Sequence, residues 1–434
     1  MSSPRRSDLA LEIGVAALCA GVAVTCASEG ELRPSPAAPV PSGAVTPPAS
    51  ASPAKRAEAP AEAAAARART PGPLPELDGF YAALRDLEEQ RRAESVRVLW
   101  LGDSHTAGDF WPATVARALK ARFGNGGPGF VPVGQRSAYR AGTTLEATGS
   151  WKREPKAPSS PLPQGDGVFG LCGTRSVPGD GAAKATVRLR QGAVPEAARW
   201  ELIYRRPAPS SGFRVQIDGS PVAVPAAPSP SGTVERLGFQ SGPTATFELG
   251  ESAGRPELFG VVIEANAPGV VFDVCGINGA RARTPLAWDE ATFVAEVAAR
   301  RPELLILAYG TNEVVDDAPP DRYAQHYREL LGRLRQAVPD AECLLAGPTD
   351  LAKSSMSHPR VREIDAVQAR VAAELGCAFF SVAQAMGGEG SILRWMEASP
   401  PMARPDGIHL TREGYEHVGQ KMADALLRSY DASR

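Results

Sequence analysis

The sequence predicts an α/β protein in which a parallel sheet is covered by helices and interrupted by an inserted antiparallel β-sandwich. Short apolar runs alternate with helical patterns before residue 136 and after residue 268, and this alternation is typical of a parallel sheet. Between them, short strand-like segments are separated by Gly, Pro and Ser, which favours an antiparallel sandwich. With 434 residues, 43% of them hydrophobic, the chain is long enough for two domains and a tail.

The N-terminal segment predicts export followed by a spacer. Arg5 and Arg6 precede an uncharged apolar run over 13–27, which is short for a membrane span and suits a secretory signal. We assign residues 1–27 to a signal or anchor segment. Cys26 is a candidate for lipid modification, with plain cleavage nearby or an uncleaved anchor as alternatives. Residues 28–75 are dominated by Ala, Pro and Ser and predict a disordered linker.

The balanced charge and the cysteine spacing give no indication of a nucleic-acid partner or of a metal site. The 47 Lys and Arg residues nearly balance the 49 Asp and Glu residues, so nothing indicates a nucleic-acid partner. Export permits disulfides, but free buried cysteines are equally ordinary. No cysteine spacing indicates a metal site, and we expect neither a metal nor a cofactor. The cysteines whose pairing stays open are Cys172, Cys275, Cys343 and Cys377.

The first strand pattern ends at a serine. After a helical pattern over 77–92, the apolar run 96–101 is typical of a buried parallel strand and leads into Gly102-Asp103-Ser104. A second helical pattern follows over 110–123. A serine between a strand and a helix can be a hydrolase nucleophile, because helical N–H groups favour negative charge there. An ordinary turn is the alternative, and Asp103 suits hydrogen bonding within that turn.

The middle of the chain predicts the inserted sandwich. Residues 124–129 formally match the glycine pattern of dinucleotide sites, but they follow a helix and not a strand, so we interpret them as a loop. The aromatic residues Trp151, Tyr204 and Phe213 either stack on a sugar or fill the sandwich core. The strand patterns lie at 185–190, 200–205, 213–217, 234–239, 244–249 and 258–264.

The parallel pattern resumes after the insertion. Polar motifs again follow its strand patterns directly, and in open parallel sheets ligands bind beyond the carboxyl ends of the strands. Gly276-Ile-Asn-Gly279 follows the first of these runs, Gly310-Thr-Asn312 follows the second, and Asp406-Gly-Ile-His409 precedes a long helical pattern. The strand patterns lie at 270–274, 304–309, 342–345 and 378–382, and the helical patterns between them at 289–300, 322–337 and 360–375.

These motifs, in this order, resemble those of the SGNH (GDSL-type) hydrolases: Gly-Asp-Ser at 102–104, Gly-Ile-Asn-Gly at 276–279, Gly-Thr-Asn at 310–312 and Asp-x-x-His at 406–409. The resemblance covers about half of the chain. It implies a three-layer, flavodoxin-like fold, with Ser104 as the nucleophile. It also implies an oxyanion hole formed by the backbone N–H groups of Ser104 and Gly279 and the side-chain amide of Asn312.

The resemblance also selects the base among five histidines. His409 carries Asp406 three residues earlier, the family's arrangement, in which the carboxylate orients the imidazole and stabilises its charged form. His105 adjoins the serine and is expected to point elsewhere. His326 and His417 lie in helical patterns.

Taken together, the sequence predicts an exported serine esterase, similar to bacterial enzymes that remove O-acetyl groups from surface polysaccharide or peptidoglycan. Its expected partners are an acetylated polysaccharide or another small ester. The protein is expected in the periplasm, at the outer membrane or at the cell surface, where only the N-terminal segment contacts the membrane. An O-acetyltransferase with the same triad and a non-catalytic glycan-binding protein are the alternatives. The expected hydrolase domain spans 76–135 and 269–434, and the insertion spans 136–268.

Overall fold

The computed structural model describes residues 74–135, 140–179, 182–208, 212–223, 232–316 and 318–434. The signal segment, Cys26 and nearly all of the linker lie outside the described residues. Among those that are described, no helix is both long and apolar enough to cross a membrane. Short 3-10 helices cover Pro75–Leu77 and Thr284–Ala287.

The strands are β1 (Val96–Gly102), β2 (Gly129–Val131), β3 (Thr143–Thr148), β4 (Trp151–Glu154), β5 (Arg175–Pro178), β6 (Lys184–Leu189), β7 (Ala198–Arg205), β8 (Gly212–Ile217), β9 (Ser220–Ala223), β10 (Glu235–Ser241), β11 (Thr246–Ala253), β12 (Glu257–Ala265), β13 (Val270–Gly276), β14 (Leu304–Ala308), β15 (Glu342–Ala346), β16 (Ala352–Lys353), β17 (Met356–Ser357) and β18 (Ala378–Phe380). The helices are α1 (Asp78–Glu88), α2 (Ser104–Ala107), α3 (Phe110–Phe123), α4 (Glu290–Arg300), α5 (Thr311–Val314), α6 (Pro320–Ala337), α7 (Arg360–Leu375), α8 (Val382–Ala385), α9 (Ser391–Glu397) and α10 (Arg412–Ala432).

The parallel sheet has β1 near its centre. Its strand order is β13-β1-β14-β15-β18, which is the flavodoxin-like order 2-1-3-4-5 when these five strands are counted along the chain. Val98 and Trp100 point into the layer of α1, α3 and α10, whereas Leu99 and Leu101 point into the layer of α4, α6 and α7. Both faces of β1 are therefore buried, which explains its unbroken apolar run. The expected three-layer fold is confirmed.

The inserted region forms two antiparallel sheets with a common core. One sheet has the order β10-β7-β12-β5-β4 with β2 also paired to β12, and the other has the order β3-β6-β11-β8-β9. Alternating apolar side chains such as Val187, Leu202, Val215, Phe247 and Val261 fill the space between them. The strand patterns predicted from the sequence all fall on strands of this sandwich. The expected antiparallel sandwich is thus present.

One sheet of the sandwich packs with its outer face against the hydrolase layers. β12 is buried at every position: Val261 and Ile263 face the sandwich core, whereas Phe259 and Val262 pack into the layer of α4, α6 and α7. β2, which pairs with β12, precedes the expected insertion boundary at residue 136. The sandwich is therefore built against the parallel sheet, and it recruits a strand from the preceding segment.

Two of the three aromatic candidates for sugar stacking belong to the sandwich core. Tyr204 is 3% exposed and Phe213 is 6% exposed, and their rings meet edge to face with centroids 5.2 Å apart. Trp151 is half-buried against the same core, and its indole N–H donates to the Thr148 carbonyl over 3.0 Å. The core interpretation therefore holds for Tyr204 and Phe213.

Two disulfides join segments that are distant in sequence. Cys172, which precedes β5, is bonded to Cys275 near the end of β13. Cys343 in β15 is bonded to Cys377, which directly precedes the neighbouring strand β18. The first disulfide fixes the insertion to the strand that leads to Gly279. The pairing that the sequence left open is thus resolved for these four cysteines.

A buried ion cluster joins the insertion to the parallel sheet. The Glu264 carboxylate on β12 accepts two hydrogen bonds of 2.8 Å from Arg97 on β1 and one of 2.7 Å from Arg300 on α4. Arg300 also donates to Asp273 on β13. Burial alone would raise the pKa of Glu264, but the two guanidinium groups outweigh it and lower this pKa to about 2. Glu264 is therefore charged at neutral pH.

We expect Glu264→Ala to lower the free energy of unfolding by about 3–5 kcal/mol, because it leaves Arg97 and Arg300 buried without their shared carboxylate. Chemical denaturation measures this change. Glu374→Ala is the matched control, since Glu374 pairs with Arg328 at the surface, where ion pairs contribute little. Equal decreases in the free energy of unfolding of the two variants would contradict the expected contribution of the buried ion cluster to stability.

Candidate active site

Three strand ends bring the sequence motifs together at the carboxyl edge of the parallel sheet. Gly102, the last residue of β1, is in register with Gly276 of β13 and Ala308 of β14. Ser104 begins α2 directly after β1, and the loop containing Gly279 follows β13. Gly310 and Asn312 follow β14. The strand pairing thus places the three motif loops side by side.

Glycine is required at the last residue of β13 and in the loop that follows it. A Cβ on Gly276 would lie 2.2 Å from the backbone nitrogen of Ala107, so α2 approaches β13 closely only because this residue has no side chain. Gly279 has a φ of 79°, a left-handed conformation that other residues adopt at a cost. The Gly-Ile-Asn-Gly motif therefore reflects a backbone constraint beside Ser104.

Ser104, His409 and Asp406 form a hydrogen-bonded chain. The Ser104 hydroxyl oxygen lies 3.0 Å from His409 Nε2, and His409 Nδ1 lies 2.9 Å from Asp406 Oδ2. Each imidazole nitrogen thus has one partner, and the carboxylate side fixes the tautomer that leaves Nε2 able to accept a proton. This is the geometry in which a serine loses its proton to a histidine.

The loop that carries His409 is held by its own aspartate. Asp406 Oδ1 accepts the backbone N–H groups of Ile408 and His409, each over 2.9 Å. Burial alone would raise the pKa of Asp406, but these two N–H groups and the His409 imidazole outweigh it and lower the pKa of this carboxyl. The side chains of His409 and Asp406 are 35% and 45% exposed. The site is open to solvent on this side.

The structure brings Asn312 to the Gly279 loop. Its side-chain amide donates to the Ala280 carbonyl over 2.9 Å, which uses one of the two N–H bonds of the amide. The Ile277 N–H donates in turn to the Gly102 carbonyl over 3.1 Å. The two loops expected to supply oxyanion donors are therefore tied to each other and to the end of β1.

The residues next to Ser104 have structural contacts. Asp103 caps α2 by accepting the His105 N–H over 3.0 Å, in agreement with its expected place in the turn. The His105 ring is buried, with Nδ1 lying 3.0 Å from the Tyr415 hydroxyl and Nε2 lying 3.4 Å from the Thr349 hydroxyl. Burial lowers the pKa of His105 to about 3. This imidazole therefore stays neutral, and its ring lies beside the His409 ring, with centroids 5.3 Å apart.

Two buried carboxyl groups lie beneath the site. Burial raises the pKa of Asp103 and that of Glu313 to about 7 each, and the nearby Glu313 carboxylate further raises the pKa of Asp103. Sequence reasoning missed Glu313, although it directly follows Asn312 in the Gly-Thr-Asn-Glu segment. It also missed Arg281 and Asp316, which pair beside Gly279. No periodicity or spacing distinguishes these residues from surface charges.

Comparisons with known proteins give a family match for part of the sequence and a fold match for most of the chain. Residues 240–417 match the GDSL-like lipase/acylhydrolase family, a range that includes Gly279, Asn312, Asp406 and His409. A solved peptidoglycan O-acetylesterase superposes with a TM-score of 0.70 at 24% identity, over 83% of this chain and 98% of that chain. Residues 240–417 therefore resemble a GDSL-like ester hydrolase, and the chain has the fold of the solved O-acetylesterase. The resemblance deduced from the motifs and the expected enzyme class are confirmed.

Other solved structures are more distant from this chain. A GDSL-like lipase from Parabacteroides merdae is 16% identical over 37% of this chain and 73% of its own, with a TM-score of 0.30. A family two carbohydrate esterase from Clostridium thermocellum is 10% identical over 58% of this chain and 95% of its own, with a TM-score of 0.29. A comparison with curated proteins gives no match. Ser104 lies outside the range that matches the family.

We expect Glu313 to make the stability of the protein fall as the pH rises from about 4 to about 7. In the unfolded chain a glutamate loses its proton near pH 4.3, whereas the pKa of Glu313 in the folded protein is about 7. Between these values the folded state holds the extra proton, so raising the pH lowers the free energy of unfolding, by at most about 1.4 kcal/mol per pH unit. Glu313→Gln does not titrate and should lack this contribution.

Denaturation of the wild type and of Glu313→Gln between pH 4.5 and 8 measures the difference. The stability of the Gln variant relative to the wild type should increase with pH and level off above pH 7. A difference that does not depend on pH would show that Glu313 titrates as an ordinary surface carboxylate.

Proposed function

We propose that this protein is an exported serine esterase of the SGNH/GDSL type that removes O-acetyl groups from cell-wall or surface polysaccharide. The observation that carries the proposal is the hydrogen-bonded chain Ser104–His409–Asp406, with distances of 3.0 and 2.9 Å. The O-acetyl substrate class is supported by the name of the solved peptidoglycan O-acetylesterase that shares this fold.

The reaction begins when Ser104 Oγ attacks the carbonyl carbon of the acetyl ester. His409 Nε2 accepts the hydroxyl proton as the new C–O bond forms, and Asp406 stabilises the imidazolium across its 2.9 Å contact with Nδ1. Because the pKa of Asp406 is lowered, this carboxylate is ionised throughout the neutral range. The carbonyl oxygen becomes the oxyanion of a tetrahedral intermediate.

The oxyanion requires donors that are fixed before the reaction starts. The backbone N–H groups of Ser104 and Gly279 and the amide of Asn312 fill this role in the proposal, at the edge where β1, β13 and β14 end. Removing one such donor in a well-studied serine hydrolase costs about 2.7–4 kcal/mol of transition-state stabilisation. Fixed positions for these three groups are therefore essential to the rate.

The intermediate collapses when the bond to the sugar oxygen breaks. The imidazolium of His409 donates its Nε2 proton to that oxygen, which leaves as a hydroxyl, and Ser104 remains acetylated. A water molecule then loses a proton to His409 and attacks the acetyl carbon. The second tetrahedral intermediate releases acetate and returns the proton to Ser104 Oγ.

The position of the insertion supports a substrate larger than a simple ester. The Ser159 side chain, in the connection between β4 and β5, lies within 3.5 Å of the place where a Cβ on Gly279 would be. The Cys172–Cys275 disulfide holds the same connection against β13. The insertion thus forms a wall beside the proposed oxyanion hole, where it can orient a polymer and contribute binding energy away from the ester.

We expect Ser104→Ala to lower kcat/KM for acetyl esters by about 10⁴-fold or more without unfolding the protein, because no other group replaces the nucleophile. His409→Ala should be similarly severe. Asp406→Asn should cost less, since it removes the orientation of the base and not the base itself. Hydrolysis of a chromogenic acetate and acetate release from O-acetylated polysaccharide measure both substrate classes.

His417→Ala is the matched control for His409→Ala, because His417 lies on α10 and its ring packs against Trp395. It should keep wild-type activity. Substantial activity in folded Ser104→Ala would overturn the nucleophile. Wild-type turnover of the chromogenic acetate alone would restrict the function to small esters, and faster turnover with added alcohols would favour acetyl transfer.

We also propose that residues 1–27 direct export and that residues 28–75 separate the folded unit from its anchor. Fractionation of cells that produce the full chain should recover it outside the cytoplasmic membrane. Cys26→Ser should release the protein from the membrane fraction if Cys26 carries a lipid. Recovery of the full-length protein from the soluble cytoplasm would contradict the export proposal.

A further inference from the structure

The loop after β13 is joined to the turn after β14 by a row of side chains. Asn312 donates to the Ala280 carbonyl over 2.9 Å, and Glu313 Oε1 accepts the Ala282 N–H over 2.8 Å. Asp316 pairs with Arg281 through two hydrogen bonds of 2.6 and 2.7 Å. Three residues of one turn therefore hold three consecutive residues of the loop.

This row of contacts reaches Gly279 itself. Arg281 donates through Nη1 to the Gly279 carbonyl over 3.1 Å while its other nitrogens bind Asp316. The φ of Gly279 lies in the left-handed region, so the direction of its N–H depends on how the following residues are held. Glu313 and Asp316 fix those residues from the side of Asn312.

Glu313 is the buried member of the row. Glu313 is 1% exposed. The Tyr323 hydroxyl donates to the backbone carbonyl of Glu313 over 2.9 Å. Oε1 accepts the Ala282 N–H, whereas Oε2 has no hydrogen-bond partner among the described residues. A carboxyl group that is buried with one oxygen unpaired is costly to the fold. The hydrogen bond that the Glu313 carboxyl group accepts within the site connects it to the loop that contains Gly279.

The opposite side of the loop is held by the insertion. The Thr284 hydroxyl donates to the Ser159 carbonyl over 3.1 Å and accepts the Arg281 N–H over 3.0 Å. These contacts hold Arg281 and Thr284 on the side of the loop that faces the insertion. Glu313, which directly follows Asn312 in the sequence, is the acceptor that reaches Ala282 from the interior. The side-chain amide of Asn312 is itself a proposed oxyanion donor.

We propose that Glu313 is a positioning residue for catalysis: by accepting the Ala282 N–H it fixes the Gly279 loop against the Asn312 turn and so aligns two oxyanion donors. This inference rests on the proposed function, in which Gly279 and Asn312 bind the oxyanion. The alignment matters mainly in the transition state, because the negative charge on the oxygen develops there. Its loss should therefore change kcat more than KM.

The test distinguishes the effect of the length of the Glu313 side chain from the effect of its charge. Glu313→Gln keeps an acceptor oxygen at the same reach, whereas Glu313→Asp keeps the carboxyl group but withdraws it by one methylene. Glu313→Ala and Glu313→Asp should lower kcat for a chromogenic acetate by about 10–100-fold with little change in KM. Glu313→Gln should retain kcat within a few-fold of the wild type.

Glu296→Ala is the matched control. Glu296 is also a buried glutamate on a helix, but it pairs with Arg236 of the sandwich and does not contact the loop after β13. This variant should keep kcat even if its thermal stability falls. If Glu313→Ala does not fold, the pair Glu313→Asp and Glu313→Gln still decides the question.

Hydrogen exchange gives a readout that does not depend on activity. Peptides that cover residues 277–284 should exchange faster in folded Glu313→Asp than in the wild type, and at the wild-type rate in Glu313→Gln. A wild-type kcat in Glu313→Asp, an equal loss in Glu313→Gln, or a loss of kcat with unchanged exchange would each overturn the assignment. A wild type without esterase activity would refute the proposed function, and the exchange measurement alone would then decide whether Glu313 fixes the loop.

Discussion

The pairing of β1 with β13 on one side and β14 on the other is the constraint on which the site depends. Gly102 is in register with Gly276 and Ala308, so three chain segments leave the sheet at the same level. Parallel strands require crossover connections that return the chain to the opposite edge, and their carboxyl ends therefore collect the loops on one side. Ser104, Gly279 and Asn312 are close neighbours in space because of this register, although more than two hundred residues separate the first from the last.

The site combines exposed reacting groups with buried groups that hold them. His409 and Asp406 are about a third to a half exposed, which allows a proton to move between serine, imidazole and solvent. Asp103, His105 and Glu313 lie below them and are almost fully buried. Burial disfavours the charged form of all three, raising the pKa of each carboxyl to about 7 and lowering that of the imidazole to about 3. In the proposed mechanism, proton transfer therefore involves Ser104 and His409, and the buried layer provides fixed hydrogen bonds.

The sequence predicted the parts of the fold that depend on local pattern. The apolar runs of β1, β13, β14 and β15 and the helical patterns of α3 and α7 were assigned nearly to their ends, because strands buried on both faces and amphipathic helices have distinct periodicities. The pairing of Ser104 with His409 was predicted by resemblance to the SGNH family. Periodicity alone gives no order of strands and no contact across 305 residues.

What the sequence did not reveal depends on contacts between distant segments. β2 and β5 are only three and four residues long, too short for an alternating pattern. β2 pairs with β12, and β5 pairs with β4 and with β12. Glu313 resembles any glutamate at the start of a helix until Ala282 is placed beside it. The disulfide between Cys172 and Cys275 likewise follows from the close approach of the insertion to β13, which no spacing of cysteines specifies.

The packing of β12 between the sandwich core and the hydrolase core changes what the insertion can do for the proposed reaction. A module connected by two flexible linkers could bind a polymer, but it would not hold the ester in a defined position relative to Ser104. Here β12 buries one face in the sandwich and the other in the hydrolase layer, and Glu264 joins the same strand to Arg97 and Arg300 through buried ion pairs. The wall formed at Ser159 is therefore fixed relative to Gly279. Orientation contributes to the rate only when the bound geometry is defined. A rigid wall beside an open Ser104–His409–Asp406 site therefore supports the proposal that the ester is carried on a long chain.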